Sequence, residues 1–345
     1  SVTSESNDHR LGAAEAPPAI ISVYLGDELE GILDSIERDE PYGGREKELL
    51  RVGVHVLPKL PKDTTDRNRT SPFAFTGNKF EFRMPGSSSS ISGANVVLNT
   101  AVAESLRQYA DALEGSNDFE ADLHELIRSV IRRHRRIIFN GNGYGASWIE
   151  EASRRGLSNY PTTPDCVPHY LDEHNVELFR RHKVYTEIEL EARYRMKLDA
   201  YCKKLRIEAL TMLDLARQDI MPAVSAYSGQ LCRTASEKKS LGVDAGFELS
   251  TANRLSALLS EASVCVEKLE AAVSLIDGTE NILKRAERCR DEMLSAMDGL
   301  RHCCDALEII TAMAALRRPC DAAEEMTDRT FWPFPSYGDI LLSVR

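Results

Sequence analysis

The stretch Phe73-Ala74-Phe75-Thr76-Gly77-Asn78-Lys79-Phe80-Glu81-Phe82-Arg83-Met84-Pro85 decides how the first part of the chain reads. Strand alternation sends successive side chains to opposite faces, so Lys79, Glu81 and Arg83 share one face while Phe80, Phe82 and Met84 share the other. With the phenylalanines packed on a core, the charged face looks into solvent or a cleft. There a carboxylate can hold a hard divalent cation, and a guanidinium two residues on can fork a substrate carboxylate. Taken alone, the segment reads by default as a solvated strand face carrying an ion pair.

Just upstream, Asp66-Arg67-Asn68-Arg69-Thr70-Ser71-Pro72 crowds two guanidinium groups into one turn-forming stretch. Such groups repel each other, and an anionic partner, phosphate or protein carboxylate, explains their proximity. Further upstream, Asn7-Asp8-His9-Arg10-Leu11-Gly12-Ala13-Ala14-Glu15-Ala16-Pro17-Pro18 sets Arg10 and Glu15 in a loop before a predicted strand. The short apolar runs Ala19 to Leu25, Arg51 to Leu57, Phe73 to Phe75 and Phe80 to Met84, broken by Pro, Gly, Asn and Ser, read as strands and loops.

From Asn95 the texture turns helical and stays so, with interruptions, to about Leu316. Thr186 and Glu189 form a capping box that opens a long helix, whose pattern is expected to stop at Pro222. Leu255, Leu259, Ala262, Val266, Leu269, Val273 and Ile276 alternate steps of four and three. The rhythm resumes from Ile282 through Ala286, Cys289, Met293, Ala296, Leu300, Cys303 and Leu307 to Ile310. Asp277-Gly278-Thr279 between them is expected to supply a Gly C-cap and a new N-cap, giving an antiparallel helical hairpin. The fold class is therefore α+β: strands first, then a mostly helical domain, with a limit placed between residues 118 and 119.

Composition excludes several classes. Forty-three basic against 54 acidic residues give a net charge of -11, which disfavours nucleic acid as a partner. No apolar run reaches the ~18 residues a membrane helix needs. Eight cysteines in 345 residues are too dilute for a disulfide scaffold and read as reduced, packed thiols of a cytoplasmic protein. The chain opens at Ser1 without an initiator Met or a basic-then-apolar leader, so its N-terminus reads as cut. Phe139-Asn140-Gly141-Asn142-Gly143-Tyr144-Gly145 lacks the spacing of a phosphate-binding glycine loop and reads as a structural turn. The basic run Arg128 to Arg136 reads as an amphipathic helix with a solvated face. His9 and His55 read as structural or exposed, and the terminal Trp332, Phe334 and Tyr337 as docking into the protein or between subunits.

The three charged segments stand in the order and approximate spacing of the catalytic domain of glutamine synthetases: Arg-loop-Glu-Ala-Pro, Arg-Asn-Arg-Ser/Thr, then a strand with Glu-x-Arg. The segments Phe73 to Arg83, Arg136 to Tyr144, Ile220 to Tyr227 and Trp332 to Asp339 resemble the large type III form, so the resemblance covers essentially the whole chain as its C-terminal half. It implies the C-terminal strands of the catalytic sheet followed by the type III helical domain. It also implies an ATP-dependent ligase that phosphorylates the γ-carboxylate of glutamate and lets ammonia displace the phosphate.

Carried over, Arg10 holds glutamate, and Glu15 sits on a flap and helps take a proton from ammonium. Arg69 contacts the transferred phosphate, the nucleotide and the substrate, with Arg67 beside it as a phosphate contact. Glu81 ligates a Mg²⁺ or Mn²⁺ ion, and Arg83 binds the glutamate α-carboxylate. The family's remaining metal ligands precede this segment, a neighbouring subunit completes the site, and the assembly is a homo-oligomer of stacked rings, a dodecamer by resemblance. Two departures stand out: the Arg10 to Glu15 spacing is one residue shorter than in the shorter bacterial form, and Ala74 stands where that form has an arginine. The rival expectation is a truncated, non-catalytic assembly module of the same family.

Overall fold

The computed structural model describes residues 19–43, 49–50, 60–61, 71–84 and 90–311, and the chain divides into two compact units, Ser1–Tyr201 and Cys202–Arg345. The first begins with β1 (Val23–Tyr24), α1 (Asp27–Arg38), β2 (Leu49–Leu50), β3 (Leu60–Pro61), β4 (Phe73–Phe75) and β5 (Phe80–Phe82). β1, β4 and β5 form one sheet in that order, β1 parallel to β4 and β4 antiparallel to β5, while β2 pairs with β3. Helices follow: α2 (Ser92–Leu113), α3 (Phe119–His134), α4 (Ala146–Arg154), α5 (Thr163–Cys166), α6 (Glu173–Arg181) and α7 (Glu187–Leu215). The expected strand Arg51 to Leu57 lies outside the described residues.

Helix α1 corrects the expectation of strands and loops alone for this region. Leu29, Ile32, Leu33 and Ile36 recur at i, i+3, i+4 and i+7, and Asp27, Glu28 and Glu30 place negative charge in the first turn. Its C-terminal end explains the basic run, which is not simply solvated. Arg128 Nε donates to the Ile36 carbonyl at 3.2 Å and Arg132 to the Glu37 carbonyl at 3.1 Å. Arg135 pairs with Glu37 at 2.7 Å and with Asp34 at 2.5 Å. Arginines thus add donors to the last carbonyls of the helix, of which Ile36 also accepts from Asp39 N at 3.3 Å, and complement its dipole.

Helix α2 turns a mixed face inward, apolar at one end and charged at the other. Its inward face carries Ala94, Thr100 and the Glu104 carboxylate, which accepts from Arg107, Gln108, Arg181 and His182 at 2.7–3.0 Å. Val96 and Val97 pack beside Tyr170, Phe179 and Leu190, whereas Ile91, Val102 and Leu106 stay exposed on the other side.

The capping box forms as read: Thr186 N donates to Glu189 Oε2 at 2.8 Å and Glu189 N to Thr186 Oγ1 at 3.3 Å. Pro222, however, does not stop the helix. After α7 the chain winds through a π segment, Ala216–Ile220, into α8 (Met221–Ser240), with Pro222 in the first turn of α8. Proline lacks an N–H and crowds the carbonyl one turn back; the wider π turn accommodates both defects without ending the helix.

In the second unit α8, α9 (Gly246–Asp277) and α11 (Leu294–Thr311) share a core of Val224, Leu231, Ala252, Leu255, Ala262 and Leu307. Arg206 pairs with Asp277 at 2.8 Å, Arg217 with Glu270, and Lys238 with Glu248, fixing an antiparallel register along α9. The predicted hairpin is present, with its stripe Leu255, Ala262, Val266, Leu269, Val273 and Ile276 buried. Its turn carries the expected glycine C-cap, Gly278, but not the expected N-cap. Gly278 keeps right-handed geometry (φ -79°), and α10 (Ile282–Arg288) is capped by Asn281, whose Oδ1 accepts from Lys284 N at 3.0 Å. Thr279 Oγ1 instead donates to the Leu275 carbonyl at 2.8 Å, which removes it from capping. A second π segment, Cys289–Met293, joins α10 to α11.

Candidate functional site

The candidate site is the β4–β5 hairpin. Pairing is Phe73 with Phe82, Ala74 with Glu81 and Phe75 with Phe80; the parallel partner β1 sets Val23 beside Phe73 and Tyr24 beside Ala74. The connecting residues close by Thr76 N donating to the Lys79 carbonyl at 2.9 Å, with Gly77 at φ +98°, a conformation that L side chains avoid. Arg83 N donates to the Pro72 carbonyl at 2.8 Å and extends the ladder by one rung.

The two faces separate as alternation requires. Phe73 stacks on Phe80 with centroids 5.5 Å apart, meets Phe82 edge-on at 5.8 Å, and Phe75 lies 5.3 Å from Phe80. This aromatic face is only partly covered: Phe80 remains 50% exposed. On the other face, Glu81 Oε2 accepts from Arg83 Nη2 at 3.1 Å and Nε at 3.3 Å, while Oε1 pairs with Lys79 Nζ at 3.2 Å. Arg83 is largely covered, at 16% side-chain exposure, and Glu81 is half-open at 38%. Hydrogen bonds from Arg83 and then Lys79 hold the Glu81 carboxyl below the usual carboxylate range, so it is ionised at neutral pH. Ala74, directly across the ladder from Glu81, is fully buried.

The sheet that presents this face is clasped from the far side of β1. Val23 bridges Ile138, and Phe139 N donates to the Val23 carbonyl at 3.0 Å. Asn140 Oδ1 accepts from the N–H groups of Leu25 and Gly26, both at 3.0 Å, and its Nδ2 donates to Glu30 at 2.6 Å. One amide thereby fixes the crossing from β1 into α1. Phe139 stacks on Trp148 at 3.7 Å, and the Arg155 guanidinium lies 5.9 Å and 5.5 Å from these rings while donating to the Ile138 carbonyl at 2.8 Å. The Asn-Gly loop is thus a structural clasp. Its signal in the sequence was the turn chemistry of Asn140 and Asn142; the partner of the Asn140 amide lies more than 100 residues away and had none.

Of the residues proposed from sequence, Glu81 and Arg83 are brought together. Arg10, Glu15, Arg67 and Arg69 lie outside the described residues, as do His9, His55 and Trp332. Glu81 has the charge and oxygen chemistry of one ligand to a hard divalent cation. Among the described residues no group of three or more His, Cys, Asp or Glu side chains could hold a metal ion, so Glu81 fits as one contributor and not as a centre. Among the described residues no helix is long and apolar enough to cross a membrane.

Residues 122–239 match the family model of the glutamine synthetase C-terminal domain. The chain is 35% identical to a glutamine synthetase of Butyrivibrio fibrisolvens over 352 aligned residues, covering 100% of this chain and 47% of that protein. It is 35% identical to the type-3 glutamine synthetase of Dictyostelium discoideum, covering 99% of this chain and 45% of the relative. A glutamine synthetase of Bacteroides fragilis (strain YCH46) is 32% identical, over 99% of this chain and 47% of its own length. The chain spans about half the length of the curated relatives it matches, and over that span it is similar to glutamine synthetases.

Proposed function

We propose that this chain contributes part of the active site of an ATP-dependent glutamate–ammonia ligase, with the Glu81 and Arg83 face of β5 as its described portion. The observation that carries the reading is an ionised, half-open carboxylate and a guanidinium two residues on, paired on one face of a strand in a chain similar to glutamine synthetases.

Glu81 would hold Mg²⁺ or Mn²⁺ together with ligands from outside the described residues. Bound there, the cation supplies neutralisation for the charge spread over a transferring phosphoryl group. The same exchange would release the Arg83 donors that Glu81 holds. At present both Nε and Nη2 are committed to Glu81, and a carboxylate that turns to a cation releases that fork for the α-carboxylate of glutamate. Arg67 and Arg69 are assigned to the phosphate and nucleotide, Arg10 to glutamate, and Glu15 to ammonium deprotonation, on the resemblance of their segments. The reaction is transfer of the γ-phosphoryl of ATP to the glutamate γ-carboxylate, then displacement of phosphate by ammonia. Assembly as stacked rings and a cytoplasmic setting belong to the same reading.

The test is a kinetic split in the protein reconstituted with the complementary portion of a relative. Arg83→Lys should raise KM for glutamate about tenfold or more, because an ammonium cannot replace a bidentate fork, and leave KM for ATP unchanged. A change confined to ATP would overturn the role given to Arg83. The rival reading is a non-catalytic assembly module of the same family; folded, associated but inactive halves would support it.

A further inference from the structure

We propose that Cys265 and Cys303 form a reversible dithiol that hydroperoxide closes into a disulfide between α9 and α11. The two sulfurs lie 3.5 Å apart although 38 residues separate them in sequence. Both residues are half-buried, which leaves them reachable, whereas another facing pair, Cys202 on α7 and Cys289, is sealed in the core. Their placement is not accidental contact between loose side chains. Ala262, one turn before Cys265, and Leu307, one turn after Cys303, belong to the same buried cluster, against which Cys303 itself packs. Gly299, one turn before Cys303, carries no side chain where a Cβ would stand 4.0 Å from the Cys265 sulfur.

Access comes from one side. Cys265 lines a surface groove of about 460 Å³ between the two helices, together with Lys268, Ala272, Asp291 and Ser295. Cys303 does not line that groove, and its thiol is pushed up to about 11, first by burial and then by its hydrogen bond with Cys265. Thiolate is the reactive form, so the geometry gives Cys265 the first step and Cys303 the second. In the first, the Cys265 thiolate attacks a peroxide oxygen; an S–O bond forms, the O–O bond breaks, and water leaves after protonation. In the second, the Cys303 sulfur loses its proton and displaces hydroxide from the sulfenic sulfur; the S–S bond forms and the S–O bond breaks. Two thiols are oxidised, and one hydrogen peroxide becomes two waters.

The experiment treats the reduced chain with hydrogen peroxide and maps it by mass spectrometry without reduction. A Cys265–Cys303 cross-link, a loss of two thiols per chain and full reversal by dithiothreitol are expected. Cys303→Ser should accumulate a dimedone-reactive sulfenic acid at Cys265, and Cys232→Ser, at an exposed thiol, should leave the cross-link intact. A circular-dichroism melt of each variant separates lost chemistry from lost fold. Over-oxidation of Cys265 without a cross-link, chain-to-chain bonding through Cys232 as the main product, or no loss of thiols would overturn the proposal.

Discussion

Gly141 lies where a Cβ would come within 2.5 Å of the Phe139 ring, and that ring is held by stacking on Trp148. Gly145 in the same loop has nothing nearer than 3.5 Å. Gly141→Ala should therefore cost about 1–3 kcal/mol, as overpacking does, while Gly145→Ala costs little, and urea unfolding of the two variants would show the difference. At this scale the sequence was informative where chemistry is local. Period-two alternation alone placed Lys79, Glu81 and Arg83 together, because a strand leaves side chains no other choice. It was silent where partners are distant. Neither the Asn140 amide on the Leu25 and Gly26 N–H groups nor the Arg128 and Arg132 contacts to α1 carbonyls had a local signal.

Among elements, the hairpin of the second unit was legible because its apolar stripe holds its period over many turns, whereas its second cap fell on Asn281 and not on Thr279. The π segments were not, since a sequence pattern records where apolar residues recur and not where one extra residue is absorbed into a wider turn. Helix α1 was missed despite its helical spacing because short apolar runs on either side read as strands. Thr186→Ala removes one half of the capping box and should cost about 1 kcal/mol in denaturant unfolding. Leu307→Ala, fully buried, should cost about 2–5 kcal/mol, whereas Leu106→Ala, 61% exposed, should stay within about 0.5 kcal/mol. Equal losses at the two leucines would contradict the orientation that leaves Leu106 of α2 exposed.

For the whole molecule, the pattern of charges sets its response to acid. Glu104 is held far below its usual value of 4.5, chiefly by hydrogen bonds from Arg107, Gln108 and His182. Glu151, Glu177, Glu189 and Glu248 shift in the same direction through Arg155, Arg180, the Thr186 cap and Lys238. A carboxyl whose folded value is depressed stabilises the fold above its unfolded value and loses that contribution as pH falls through the folded one. Stability should thus decline below about pH 4.5, and Glu104→Gln should flatten part of that decline in urea midpoints measured from pH 7 to 3.

The role proposed for this chain is to supply part of a glutamine synthetase site. The most direct measurement is γ-glutamyl transferase and biosynthetic activity of the chain alone and mixed with the complementary portion of the Butyrivibrio fibrisolvens relative, with Glu81→Ala alongside. Activity in the mixture only, abolished by the substitution, is the predicted result; activity that survives Glu81→Ala, or none from two folded and associated portions, would contradict it.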